Sequence, residues 1–114
     1  MSETVFDKIL KKEIPSNVVY EDDKVYAFKD ISPQAPTHIL VIPKKKLVDF
    51  TELADAPPEE VGALFKGAAK VAKQLGLAEE GYRIVVNSGK FGQQTVSYLH
   101  LHVIGGRQLR WPPG

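Results

Sequence analysis

The segment Tyr98-Leu99-His100-Leu101-His102-Val103-Ile104-Gly105-Gly106 decides how this sequence folds. Its large apolar and polar residues alternate, which is typical of a β-strand. Side chains two positions apart on a strand point to the same face, so we predict that His100 and His102 share one surface with Tyr98. The opposite surface then carries Leu99, Leu101 and Val103. Two of the three histidines of the chain lie on the first surface, which indicates a site there.

The composition excludes several classes of protein. The chain has 114 residues, 43% hydrophobic and 25% charged, as expected of one globular domain spanning residues 1–114. A net charge of +1 gives no general attraction to nucleic acid or to an anionic membrane. The absence of cysteine excludes disulfides and thiolate metal sites. With no apolar run long enough for a membrane span and no secretory signal, we expect a cytoplasmic protein.

Working outward from this segment, the pattern predicts alternating helices and strands. We expect helices at residues 4–13 and 57–75, a loose helical turn at 50–53, and strands at 18–21, 25–29, 37–42, 82–86 and from 95 or 96 onward. Hairpin-linked strands with helices between them predict an α+β fold with a mainly antiparallel, five-stranded sheet. Such a sheet has open edges, and pairing between two copies of the chain would cover one of them.

The two histidines allow three interpretations. They can be solvated surface residues, two ligands of a zinc site, or groups for nucleophilic or acid–base catalysis. Zinc needs further ligands, and His38 is the one candidate, since no cysteine exists and we expect no acidic residue beside the strand.

The loop before the histidines indicates an anion site. Residues 87–95 contain two glycines, amides and hydroxyls and lead directly onto the histidine segment. Such loops can direct backbone N–H groups at a phosphate. Asp30 follows a predicted strand and either starts a turn or binds the hydroxyls of a ribose.

These residues together resemble the histidine-triad (HIT) family, and within it the Hint branch of nucleoside phosphoramidases. The resemblance rests on His100-Leu101-His102-Val103 followed by Ile104-Gly105-Gly106-Arg107-Gln108, on the segments 28–44 and 81–87, and on the ending Trp111-Pro112-Pro113-Gly114. It covers nearly the whole chain.

The resemblance implies a fold and an activity. The fold is a five-stranded antiparallel sheet with two helices, which pairs in a homodimer to form a ten-stranded sheet. The activity is hydrolysis of adenosine 5′-phosphoramidates to AMP and an amine through a nucleotidyl-histidine intermediate. It implies purine nucleoside monophosphates and phosphoramidates as ligands, no cofactor, no metal, and no nucleic acid or membrane as partner. The location is cytoplasmic, and nuclear as well in a eukaryote.

The resemblance also implies roles for individual residues. His100 matches the nucleophile, His102 the histidine that contacts phosphate and assists proton transfer to the amine, and His38 a supporting histidine. Phosphate binding is implied for Asn87, Gln94, Thr95 and Val96. Ribose and base binding is implied for Asp30, Phe6, Ile9, Phe28, Lys29 and Ile31. Trp111 matches a residue near the leaving-group side of the partner subunit's site.

The sequence departs from the family pattern at one triad position. The family has three alternate histidines, and the first falls on Tyr98 here. A phenol can donate or accept a hydrogen bond but carries no positive charge, so Tyr98 bears on the rate of turnover more than on nucleotide binding. A nucleotide-binding module with weak turnover that acts through protein interactions is therefore the alternative function, and a dinucleoside polyphosphate hydrolase or nucleotidyltransferase of another HIT branch is a third.

Overall fold

The computed structural model describes residues 2–114, which form a five-stranded antiparallel sheet with two helices. The elements, in chain order, are α1 (Val5–Leu10), β1 (Val18–Glu21), β2 (Val25–Lys29), β3 (Thr37–Pro43), a 3₁₀ helix (Phe50–Asp55), α2 (Pro58–Gln74), β4 (Tyr82–Val85) and β5 (Leu101–Gly105). The strand order is β1-β2-β3-β5-β4, with every neighbouring pair antiparallel. The predicted α+β fold is confirmed.

Local residue chemistry sets the element ends. Thr4 and Asp7 form a capping box at the start of α1, and Pro58 with two glutamates opens α2. Gly76, at φ +72°, takes the left-handed conformation that ends α2. In the β1–β2 turn, the Asp22 carboxylate accepts hydrogen bonds from the backbone N–H groups of Lys24 and of Val25, where β2 begins.

Two predicted boundaries are wrong by three residues or more, and the others differ by at most two. α1 ends at Leu10 rather than at residue 13, because the chain turns at Lys12, which has φ +64°. β5 begins at Leu101 rather than at 95 or 96. Residues 96–98 form a bend in which the Tyr98 N–H donates to the Val96 carbonyl oxygen at 2.8 Å, so this stretch does not pair with β4.

The sheet has two faces of different composition. On one face, α2 packs over a core that includes Val41, Leu101 and Val103, each fully buried. On the other face, α1 packs on aromatic residues that include Phe28 and Tyr98. The alternation predicted for β3 and for the histidine segment is therefore confirmed, and the histidines lie on the α1 face. Within residues 2–114, no helix has both the length and the apolar character needed to cross a membrane.

Candidate active site

Strand pairing brings the three histidines together. His38 on β3 pairs with Ile104, and Leu40 pairs with His102, so the rings of His38 and His102 lie side by side with centroids 5.2 Å apart. His100 lies two residues before His102, and its ring centroid is 4.9 Å from that of His102. His38 and His100 are buried, and His102 is half-buried.

A hydrogen bond to the main chain fixes the tautomer of His100. His100 Nδ1 lies 2.7 Å from the backbone carbonyl oxygen of Tyr98. A carbonyl only accepts, so Nδ1 carries the hydrogen, and in the neutral ring Nε2 keeps its lone pair. Burial lowers the pKa of His100 below its usual value. The ring is thus held neutral near pH 7 with a bare Nε2, which is the form a nucleophile needs.

A relay of hydrogen bonds gives His102 the opposite tautomer. The backbone N–H of Gln34 donates to His38 Nδ1 at 3.0 Å, so neutral His38 carries its hydrogen on Nε2. That group donates to His102 Nδ1 at 2.9 Å. His102 in turn carries its hydrogen on Nε2 and presents an N–H donor. Burial, with His100 and His38 nearby, lowers the pKa of His102 to about 4, which keeps this ring neutral as well.

A cavity of about 440 Å³ lies against these rings. Ten of the residues proposed for the site line it: Phe6, Ile9, Phe28, Lys29, Asp30, Ile31, Thr95, Val96, His100 and His102. The size is typical of small-molecule sites, and the mixture of apolar walls with a few polar groups is typical as well. The Phe6 ring stands edge-on against His100 at a centroid distance of 5.0 Å, so α1 forms both a cavity wall and the backing of this histidine.

Five of the proposed residues lie outside the lining of this cavity, and Tyr98, the fifth, is described below. His38 reaches it through His102. Gln94 bonds within its own loop and to Val48, with Nε2 2.7 Å from the Val48 carbonyl oxygen. Asn87 is half-buried in the same loop, and Trp111 is 78% exposed on the C-terminal segment. The structure thus groups the base, ribose and histidine positions and leaves Asn87 and Trp111 apart.

Tyr98 is part of the core rather than of the cavity. Its side chain is fully buried, and its hydroxyl donates to the Pro43 carbonyl oxygen at 2.5 Å. Burial raises the pKa of the phenol, which therefore stays neutral. Lys46 Nζ lies 5.6 Å from the ring centroid and pairs with Asp7 of α1 at 2.9 Å. Tyr98 thus joins the end of β3 to the helix that walls the site.

The expectation that no acidic residue adjoins the histidines is wrong. Asp30 Oδ2 lies 3.4 Å from His38 Nε2, because β2 ends beside β3. Asp30, His38 and His102 present one ligand atom each, all within 4.8 Å of one another. Two imidazole nitrogens and a carboxylate oxygen fit the ligand preferences of zinc. A zinc ion bound here would displace the hydrogen that His38 Nε2 and His102 Nδ1 share.

The sequence did not reveal two of these contributions. Gln34 sets the relay through its backbone N–H, and Tyr98 orients His100 through its carbonyl. Both are main-chain groups, which every residue type supplies. The Pro33 and Pro36 turn around Gln34 was the one available signal, since it predicts a fixed loop before β3.

Comparison with known proteins agrees with this geometry. Residues 11–109 match the model of the HIT domain. A 14 kDa zinc-binding protein from Zea mays is 57% identical over 115 residues, covering 99% of this chain and 89% of its own. The adenylylsulfatase HINT1 from Arabidopsis thaliana is 55% identical, covering 99% and 78%. A HIT family hydrolase from Legionella pneumophila superposes with a TM-score of 0.93 at 46% identity, covering 98% of this chain and all of its own. The chain belongs to the HIT family.

Proposed function

We propose that this protein hydrolyses purine nucleoside 5′-phosphoramidates to the nucleoside monophosphate and an amine. The observation that carries the proposal is the pair of opposite tautomers beside the 440 Å³ cavity: a bare Nε2 on His100 and an Nε2–H on His102. One nitrogen can attack phosphorus while the other stabilises a phosphoryl oxygen. The Arabidopsis relative, named an adenylylsulfatase, supports a substrate with an adenylyl group.

The reaction has two displacements. The His100 Nε2 lone pair attacks the α-phosphorus, the P–N electron pair moves to the departing nitrogen, and that nitrogen takes a proton from solvent as the amine leaves. Water then attacks the nucleotidyl-His100, the bond from phosphorus to Nε2 breaks, and AMP leaves with release of a proton. The low pKa of His102 makes it a neutral donor to the phosphoryl oxygen in the empty site, rather than an imidazolium. Each step needs mainly positioning and charge stabilisation.

Tyr98 takes the place of the first triad histidine in this proposal. The group that orients His100 is the Tyr98 backbone carbonyl, which does not depend on the side chain at that position. This favours an active enzyme over the alternative, a nucleotide-binding module with weak turnover. The alternative predicts that Tyr98→His raises turnover greatly. We expect no such gain, because the shorter imidazole would give up the bond to the Pro43 carbonyl.

A steady-state assay tests the activity. AMP should form from a fluorogenic adenosine phosphoramidate without added metal, and His100→Ala should abolish it. Lys66→Gln, an exposed change on α2, is the matched control. Wild-type turnover in the His100 variant would reject the mechanism. Hydrolysis confined to diadenosine polyphosphates would instead favour another HIT branch.

Pairing of two chains completes the proposal. β4 lies at one edge of the sheet, and its side chains Tyr82 and Ile84 are 40% and 38% exposed. A second β4 alongside would give the ten-stranded sheet and cover these residues. Light scattering should give twice the monomer mass, and Ile84→Lys should shift the protein toward monomer.

Zinc binding is the second candidate function. It rests on the Asp30–His38–His102 cluster and agrees with the name of the maize relative. Zinc would occupy the relay nitrogens, so binding and hydrolysis should compete. Metal analysis of the purified protein, with His38→Gln as the matched variant, tests this; one zinc per chain that is lost in the variant would support it.

A further inference from the structure

The three arginines of the chain all lie around one groove. Arg83, Arg107 and Arg110 are the only arginines in the sequence, and all three line a groove of about 490 Å³. The groove also contains Leu109 and the two prolines of the C-terminal segment. Guanidinium groups bind carboxylates and phosphates through parallel hydrogen bonds, so three of them around one space are suited to an oxyanion.

Two of these guanidinium groups donate to main-chain carbonyls rather than to acids. Arg83 Nη2 donates to the Arg110 carbonyl oxygen at 2.8 Å, and Arg107 donates to the Gln34 carbonyl oxygen at 2.9 Å. Across residues 2–114, every ion pair involves a lysine or a histidine, and none involves an arginine. Glu80 lines the adjoining cavity without approaching any arginine to ion-pair distance. The positive charge of the groove is therefore uncompensated, which favours an anionic ligand.

An exposed aromatic ring flanks the groove. Trp111 is 78% exposed, and the Arg83 guanidinium carbon lies 5.8 Å from its ring centroid. The contact orders the Arg83 side chain against the C-terminal segment. Trp111 is also the only tryptophan of the chain, so its fluorescence reports on this groove alone.

The groove shares a sheet face with the histidines. Ile104 pairs with His38 on one side and with Arg83 on the other. Residues directly opposite each other in antiparallel strands point to the same face, so these three form one row across the sheet. Arg83 stands two strands from His38, about 10 Å away along this row.

In-line displacement directs the leaving group toward this row of residues. In-line displacement sends the leaving group away from the attacking atom. His100 precedes His102, and Ile104 follows it along β5. A leaving group on phosphorus above His102 therefore departs from His100 toward Ile104 and the row that ends at Arg83. The apolar cavity wall with Phe6 and Phe28 lies on the other side, toward β2.

We propose that Arg83 and Arg110, supported by Arg107, form a subsite for an oxyanion carried by the leaving amine. The inference rests on the proposed function and adds a substrate class: nucleoside phosphoramidates whose amine bears a carboxylate or a phosphate. The subsite binds this group and holds the departing amine in line with His100.

Two substrates that differ in one charge test the subsite. Adenosine phosphoramidates of β-alanine and of β-alaninamide differ only by carboxylate against carboxamide. We expect kcat/KM to favour the carboxylate about tenfold, the scale of one charge-assisted contact. Arg83→Gln should bring the ratio near one, and Arg83→Lys should restore part of it. Lys66→Gln removes the same charge from the α2 face and should leave the ratio as in the wild type.

The failures can be told apart. Equal hydrolysis of both substrates by the wild type would overturn the subsite and leave the proposed function standing. Hydrolysis of neither would reject the proposed function, and Trp111 fluorescence during titration with inorganic pyrophosphate would then decide on the subsite. A saturable change that weakens about tenfold in Arg83→Gln would support it, whereas no change in the wild type would overturn it. Circular dichroism checks folding, and the exposed Arg110→Gln serves if Arg83→Gln is unfolded.

Discussion

The two faces of the sheet are built from alternate residues of the same strands and have opposite chemistry. On the α2 face, Leu101 and Val103 pack in a core of aliphatic side chains without polar groups. On the α1 face, His100 and His102 lie among aromatic rings, a carboxylate and a cavity. The first face supplies aliphatic packing, whereas the second combines a smaller core with the histidines and the cavity. A shift of one residue in strand pairing would exchange the two sets, so the α2 core also fixes the register that assembles the histidines.

The largest expected effect is on the α1 face. His100→Ala removes the proposed nucleophile, and we expect kcat for AMP formation to fall by on the order of 10³-fold or more. The His100 ring packs against Phe6 and makes only one hydrogen bond. We therefore expect the free energy of unfolding to change little compared with the change in turnover. Steady-state kinetics and urea denaturation on the same preparation measure both. A large loss of stability with retained turnover would reverse the comparison.

The adjacent residue should give the opposite result. Leu101 is fully buried under α2, and Leu101→Ala should lower the free energy of unfolding by about 3 kcal/mol. Turnover per folded molecule should stay close to wild type, since Leu101 faces away from the cavity. The midpoint of urea unfolding and the active fraction from a titration measure the two quantities. Loss of turnover in fully folded protein would show that the faces are not separable.

Substitutions at Tyr98 test whether one residue affects both stability and turnover. Tyr98→Phe leaves the buried Pro43 carbonyl without its donor, which should cost about 1–2 kcal/mol of unfolding free energy. The backbone carbonyl that orients His100 remains, so we expect turnover to fall by less than about tenfold. Tyr98→His, assayed in parallel, separates the hydroxyl bond from ring size. A collapse of turnover in Tyr98→Phe without unfolding would give the phenol a direct catalytic role.

The smallest effect is a pH dependence from the α1 face. The pKa of His102 is about 4 in the folded chain, against an ordinary value of 6.5. Between these pH values the unfolded chain binds more protons than the folded chain. The contribution of His102 to the free energy of unfolding is therefore complete above pH 6.5 and is lost as the pH falls toward 4. His100 shifts in the same direction through burial. Urea denaturation at several pH values should show a shallower dependence in His102→Asn. An unchanged dependence would contradict the buried, neutral ring.

Much of this arrangement could be predicted from the residues. Alternation assigned the faces of β3 and β5, and capping and proline signals placed α2 within about one residue of its observed ends. The start of β5 was misplaced because the chain bends at residues 96–98 before the strand begins, although the side-chain pattern there resembles that of the strand. The histidines and Asp30 were proposed singly, and their grouping needed strand register.

The relay and the arginine groove lay beyond the sequence for related reasons. The Gln34 N–H and the Tyr98 carbonyl are main-chain groups, and their positions follow from loop geometry rather than from residue type. The arginines are up to 27 residues apart, with Arg83 bonded to the Arg110 carbonyl. Their convergence depends on the pairing of β4 with β5.

The most direct measurement is capture of the covalent intermediate. The protein is mixed with excess adenosine phosphoramidate, quenched within one turnover, digested and analysed by mass spectrometry. The nucleophile assigned to His100 predicts an adenylyl group on the peptide containing residues 98–106, located on His100 and missing from His100→Ala. An adenylyl group on His102, or AMP formed in the first turnover without any modified peptide, would contradict it.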